Sequence, residues 1–77
     1  MPTVLREGGF QVIIFTHDHA PMHVHVKHGA ESVIIDLESL ALRRVYMNDR
    51  KVNAALRLIR DNRDFLIAEW QRVAPIS

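Results

Sequence analysis

The first half of the chain alternates apolar and polar residues with a period of two, which is typical of β-strands. Turns containing Gly8-Gly9 and Gly29 interrupt this alternation, because glycine adopts the positive φ that tight hairpins need. The pattern predicts four strands, at residues 3–6, 10–16, 22–28 and 31–37. Residues 38–47 fit either a short edge strand or an ordered loop.

The second half repeats its apolar residues at helical spacing. Asn48 is a suitable N-cap and Pro75 a suitable stop, so one long helix is predicted over about residues 49–73. Its apolar stripe contains Val52, Ala55, Leu56, Ile59, Leu66, Trp70 and Val73. Arg63 falls on the flank of this stripe, so either its stem extends to solvent or the helix kinks near residues 61–62.

These elements predict an α+β fold in a single domain of residues 1–77. A small, mostly antiparallel sheet of three to five strands lies within residues 2–47. One long C-terminal helix, straight or kinked, follows at about 49–73 and packs on one face of the sheet.

The predicted strand at 10–16 is apolar on both faces, with Ile13 and Phe15 opposite Val12 and Ile14. One helix can cover only one face of a sheet. The apolar side chains of the other face would therefore be exposed in a monomer, and exposed apolar patches usually mark interfaces. We expect a homo-oligomer or a cognate partner protein.

The composition limits the classes of protein to which the chain can belong. It has no cysteine, which excludes disulfides and thiolate metal sites and favours a reducing compartment. Apolar runs such as residues 12–15 are far too short to span a membrane, and the first residues lack the pattern of a signal peptide. We expect a soluble cytoplasmic protein that does not bind membranes.

Charge is distributed unevenly, although the formal net charge is only +1. Residues 1–41 carry two basic and five acidic side chains, whereas residues 42–77 carry eight basic and four acidic ones. This basic half could bind nucleic acid or an acidic protein, or it could simply be a solvated helix face. The candidate nucleic-acid-binding residues are Arg43, Arg44, Arg50 and Arg57.

All five histidines lie within residues 17–28, and this cluster is the clearest candidate for chemistry. Histidine titrates near neutral pH and is the commonest metal ligand. His23 and His25 are two residues apart on a predicted strand, so they share a face with Cα atoms about 6.5 Å apart. His19 precedes this strand in a loop, where the adjacent Asp18 could orient an imidazole or bind a metal.

Three interpretations of the cluster stay open. The histidines could be structural or could contact a partner protein. They could act without any cofactor as general acid and base on a phosphodiester, one imidazole taking the 2′-hydroxyl proton and another protonating the leaving oxygen. Alternatively, three histidines and a carboxylate could bind zinc or another divalent metal.

Six short motifs extend over essentially the whole chain. They are Met1-Pro2-Thr3-Val4-Leu5-Arg6, Gly8-Gly9-Phe10, Asp18-His19 with Pro21, His23-Val24-His25-Val26, Asn62-Arg63-Asp64 and Glu69-Trp70. Together they resemble the pattern of a family of very small bacterial proteins that is catalogued as a domain of unknown function. Met22 stands where a second proline is common in that family, and His17 and His28 lie outside its motif.

The resemblance implies the toxin of a type II toxin–antitoxin module that acts on RNA or on translation, because members are often encoded beside a second small protein. That protein would be the cognate antitoxin. The residues matched by motif are Asp18, His19, His23 and His25. If they act as general acid and base, the protein would be a metal-independent ribonuclease. The resemblance does not decide against a non-catalytic protein-binding module or a metal-binding enzyme or sensor.

Overall fold

The computed structural model describes residues 3–16 and 19–74. Its elements are β1 (Thr3–Glu7), β2 (Phe10–Ile13), β3 (His23–His28), β4 (Glu31–Asp36), β5 (Leu42–Tyr46), α1 (Asp49–Asp61) and α2 (Arg63–Val73). The strands form one antiparallel sheet in the order β1-β2-β3-β4-β5, so β3 is central and β5 is an edge strand. Residues 42–46 are thus a strand, and β2 ends three residues earlier than predicted.

The prediction of one long C-terminal helix is wrong, although the chain is α+β. The helical stretch divides at Asn62, whose φ of −118° and ψ of 20° lie outside α-helical geometry. The Asn62 side-chain amide donates to Leu58 O at 2.8 Å, and such local side-chain bonds compete with the helical ladder. Arg63 then extends away from the helix, with Nε 2.6 Å from Leu37 O and Nη2 2.8 Å from Glu38 O. The break lets this guanidinium bind the turn that follows β4.

Both helices pack on the same face of the sheet, and the main core lies between the two layers. At the centre of this side, the side chains of β2, β3 and β4 are β-branched and almost completely buried. They pack with apolar residues of both helices; the cluster includes Val12, Val24, Val26, Val33, Ile35, Val52, Ala55, Ile59, Leu66 and Trp70. We call this side of the sheet the covered face.

The opposite side of the sheet, here called the helix-free face, is formed by alternate residues of the same strands. They are Ile13, His23, His25, Lys27, Ser32, Ile34 and Asp36. Ile13 is fully buried and Phe15 is half-buried within the single chain. The prediction that one apolar face of this stretch would be exposed in a monomer is therefore wrong. Among residues 3–16 and 19–74, the large apolar side chains that are exposed lie in β5 and α2; they are Leu42, Val45, Tyr46 and Phe65.

A polar contact fixes the start of α1 against β4. Asn48 is the N-cap, as predicted, and its Oδ1 accepts the Lys51 backbone N–H at 2.9 Å. The Glu31 carboxylate accepts the Asn48 backbone N–H at 2.9 Å and also accepts from Lys51 Nζ. These contacts, the Lys51 ammonium first, lower the pKa of Glu31 below its ordinary value.

None of the helices in the described part of the chain is long and apolar enough to cross a membrane.

Candidate functional site

The central strand places His25 within the helix-free face and His23 at the end of that face, where Trp70 of α2 lies beside it. Residues of β3 alternate between the faces, so Val24 enters the core while His23 and His25 point to the other side. His25 pairs in register with Ile13 of β2 and Ile34 of β4. A rigid, well-paired strand therefore holds both imidazoles.

Ring contacts define the orientation of this histidine pair. The His23 and His25 ring centroids are 5.1 Å apart with an interplanar angle of 66°. Phe15 lies edge-on to His25 at 4.7 Å, and Trp70 of α2 lies 5.1 Å from His23. Edge-to-face contacts at this spacing are favourable, and both histidines are half-buried. Each imidazole thus packs against an aromatic ring as well as against the other imidazole.

One hydrogen bond assigns the tautomer of His23. Its Nδ1 lies 2.9 Å from Pro21 O, and a carbonyl oxygen can only accept. Nδ1 therefore carries a proton in both the neutral and the charged form. In the neutral imidazole, Nε2 is then the ring nitrogen that can accept a proton.

A groove of about 430 Å³ opens beside His25 on the helix-free face. It is lined by Phe15, Lys27, Ser32, Ile34, Arg44 and Tyr46 as well as by His25. Two of these side chains are cationic, and none of the described residues that line the groove is acidic. The groove therefore favours an anionic ligand next to the histidine pair.

A β-bulge in the edge strand brings two consecutive arginines to this face. Ser32 pairs with Tyr46 and Ile34 pairs with Arg43, so β5 has one more residue than β4 between these pairs. Arg44 adopts a φ of 49° there. A bulge redirects side chains that strict alternation would place on opposite faces. Arg43 thereby approaches Asp36 at 3.8 Å, and Arg44 lines the groove.

The predicted site residues are only partly brought together. His23 and His25 are adjacent, and Arg43 and Arg44 lie on the same face beside them. The other two arginines of the predicted set, Arg50 and Arg57, are exposed on α1 in the helix layer. His19 is exposed, and Asp18 lies outside the described residues.

His28 has a different environment from the histidine pair. Its ring packs edge-on against Phe10 at 4.8 Å, next to the core. It also covers Gly9, since a Cβ there would lie 2.8 Å from His28 Nε2. His28 thus has a packing role at the β2–β3 pair.

The metal interpretation stays a prediction. Within residues 3–16 and 19–74, no three His, Asp or Glu side chains are grouped so that they could hold a metal ion. The candidate ligand Asp18 is not among those residues. The described part of the cluster supplies two adjacent imidazoles.

The sequence did not single out Tyr46 or Ser32, and it did not connect Lys27 with Arg44. Their proximity depends on the register of β4 and β5, which pairs Lys27 with Ser32 and Ser32 with Tyr46. A usable signal was present for Lys27, which shares the period-two face of His23 and His25. The bulge that brings in Arg44 has no comparable signature.

Comparison with curated proteins and with solved structures finds no match. The family model described as "Domain of unknown function (DUF4160)" matches residues 9–71. This stretch extends from the turn before β2 into α2, and it contains the histidine pair and the whole groove. The chain therefore belongs to this domain family of unknown function.

Proposed function

We propose that this protein is the toxin of a type II toxin–antitoxin module and that it cleaves RNA without a metal, using His23 and His25 as its acid–base pair. The observation that carries the proposal is the juxtaposition of two imidazoles, 5.1 Å apart, with a groove that contains Lys27 and Arg44. Paired imidazoles can supply both proton transfers of phosphodiester cleavage. The cations favour the polyanionic substrate.

The proposed reaction begins with His23 neutral and His25 protonated. His23 Nε2 takes the proton of the 2′-hydroxyl, and the 2′-oxygen attacks phosphorus. The bond from phosphorus to the 5′-oxygen breaks, and the His25 imidazolium gives its proton to that oxygen. The products are a 2′,3′-cyclic phosphate and a 5′-hydroxyl, with the protonation of the two histidines exchanged.

The other residues have supporting roles in this proposal. Lys27 and Arg44 neutralise charge on the phosphate as it becomes pentacoordinate. Asp18 and His19 keep the roles predicted from the sequence, as an orienting carboxylate and a further acid–base group. The Pro21 carbonyl keeps the His23 ring in the tautomer that can accept at Nε2.

Growth of cells that express the chain alone tests the proposal. We expect the wild type to arrest growth and the His23→Ala/His25→Ala variant to permit it at equal soluble level. His23→Asn is a sharper variant, because an asparagine amide can still donate to Pro21 O but cannot titrate. His28→Ala is the control, since His28 lies outside the pair.

Purified protein gives the chemical test. We expect RNA cleavage that leaves 2′,3′-cyclic ends, is unchanged by a chelator, and falls about 10²- to 10⁴-fold when either histidine is replaced. Cleavage that a chelator abolishes would contradict the metal-free mechanism and favour the metal interpretation. Absence of both cleavage and growth arrest would overturn the proposed function.

A second candidate is a non-catalytic module that binds a partner protein. The supporting observation is β5, in which all five residues are exposed, including Leu42, Val45 and Tyr46. Several exposed apolar side chains on one edge strand are typical of an interface. Growth arrest that survives His23→Asn but is lost in a Leu42→Asp/Val45→Asp variant would favour this candidate.

A further inference from the structure

We infer that the groove beside His25 is a nucleotide subsite that accepts one unstacked base of single-stranded RNA. Tyr46 is the stacking residue, and Lys27 and Arg44 contact the flanking phosphates. This inference rests on the proposed RNA cleavage and adds its substrate class, which is single-stranded rather than duplex RNA.

The shape of the groove fits a base with part of its sugar. Its volume of about 430 Å³ lies within the range of about 300–1,000 Å³ that is usual for small-molecule sites. Ile34 is half-buried and apolar, and Phe15 contributes an aromatic ring beside His25. The groove therefore offers apolar surface for a flat aromatic ligand.

Tyr46 is the groove residue that we expect to contact the ligand. Its side chain lines the groove and yet is 69% exposed. Base–aromatic stacking stabilises single-stranded nucleic acids on many unrelated proteins and tolerates any base. A large exposed ring at the edge of a cationic groove is suited to this contact.

The charges of the groove are available to phosphates. Arg43 is close to Asp36, at 3.8 Å. In contrast, no ion pair within residues 3–16 and 19–74 includes Lys27 or Arg44. Both cations line the groove that begins at His25. A nucleotide bound there would place a flanking phosphate beside the histidine pair, on the groove side of His25.

The groove selects single strands because it requires an exposed base. In duplex RNA the bases are stacked, and side chains cannot read the deep, narrow major groove. Only an unpaired nucleotide can place its base against Tyr46. An acidic peptide would satisfy the two cations but would supply no flat ring for stacking.

Binding of a labelled single-stranded RNA with 2′-O-methyl riboses, which cannot be cleaved, tests the inference by fluorescence anisotropy. We expect Tyr46→Ala to weaken binding about 5- to 150-fold, since one stacked base contributes about 1–3 kcal/mol, and Tyr46→Phe to bind like the wild type. Arg44→Ala should lower the slope of log K against log salt by about 0.7. Phe65→Ala and Arg60→Ala are matched controls, an exposed aromatic and an exposed cation of the helix layer, and should change neither quantity.

Three results would overturn the subsite. They are equal effects of Tyr46→Ala and Phe65→Ala, duplex RNA bound as tightly as the single strand, and displacement of the RNA by oligoglutamate at equal charge concentration. Circular dichroism checks that each variant is folded. Because Tyr46 is exposed, we expect Tyr46→Ala to keep the fold.

The subsite and the proposed cleavage can fail separately. If the uncleavable RNA binds in a Tyr46-dependent manner but natural RNA is not cut, the subsite stands and the cleavage proposal falls. If natural RNA is cut at the same KM and kcat by wild type and Tyr46→Ala, the cleavage stands and the subsite falls.

Discussion

The two faces of the sheet are built from the same three strands, yet they differ in chemistry residue by residue. On the covered face, Val24, Val26 and Ile35 are fully buried against the helices. Their immediate neighbours on the helix-free face include His25 and Lys27, which line the open groove. The period-two geometry of a strand lets adjacent residues serve stability and chemistry separately.

The largest expected effect comes from neighbouring isoleucines on opposite faces. Ile35→Ala should lower the free energy of unfolding by about 2–5 kcal/mol, because it leaves a cavity in the core between sheet and helices. Ile34→Ala should lower it by only about 1 kcal/mol, because the half-buried Ile34 side chain borders the open groove. Urea unfolding at neutral pH measures both. Equal losses would show that the helix-free face is packed as tightly as the core.

A smaller effect distinguishes the two arginines of the bulge. A non-glycine residue in the left-handed region costs roughly 1–2 kcal/mol, and Arg44 has a φ of 49°. Arg44→Gly should therefore raise the free energy of unfolding by up to about 1 kcal/mol, after the entropic cost of glycine is subtracted. Arg43→Gly should lower it by about 1 kcal/mol, because Arg43 has no positive φ to relieve.

Urea unfolding of both glycine variants checks this contrast, and RNA binding provides the functional readout. A more stable Arg44→Gly protein that binds RNA less well would show that backbone strain is retained for the groove. Destabilisation of the same size by both substitutions would contradict the assigned bulge.

The smallest expected effect is a loss of stability at acid pH. It comes from a contact on the covered face. Contacts from Lys51 and the Asn48 N–H lower the pKa of Glu31 from its ordinary 4.5. A carboxylate with a lowered folded-state pKa contributes stability above its unfolded pKa, and that contribution is lost as pH falls through the folded value. The melting temperature of the wild type should therefore fall more steeply below about pH 4.5 than that of Glu31→Gln. Identical slopes would mean that this contact to α1 adds nothing.

The sequence contains enough information for the histidine face but not for the helical break. Strict alternation in residues 23–27 assigns His23 and His25 to one face, and the structure agrees. The break at Asn62 depends on distant carbonyls, because Arg63 binds Leu37 O and Glu38 O across the fold. A helical projection shows that Arg63 falls beside the apolar stripe, but it does not identify the carbonyl groups that Arg63 binds.

The groove was unpredictable for a related reason. Residues that line it come from the stretch after β2 and from β3, β4 and β5, and their proximity requires the exact strand register. One additional residue in β5 changes which side chains share a face. The burial of Ile13 on the helix-free face likewise could not be predicted, because the prediction considered only helices as cover for the sheet.

The additional residue in β5 also bears on aggregation. The outer edge of a sheet offers unpaired N–H and C=O groups, on which a strand of another molecule can build. In β5 the bulge interrupts the regular spacing of those groups, and Arg43 and Arg44 add like charges that repel a second copy of the same edge. The irregularity that carries Arg44 into the groove thus also disfavours extension of the sheet through this edge into a fibre.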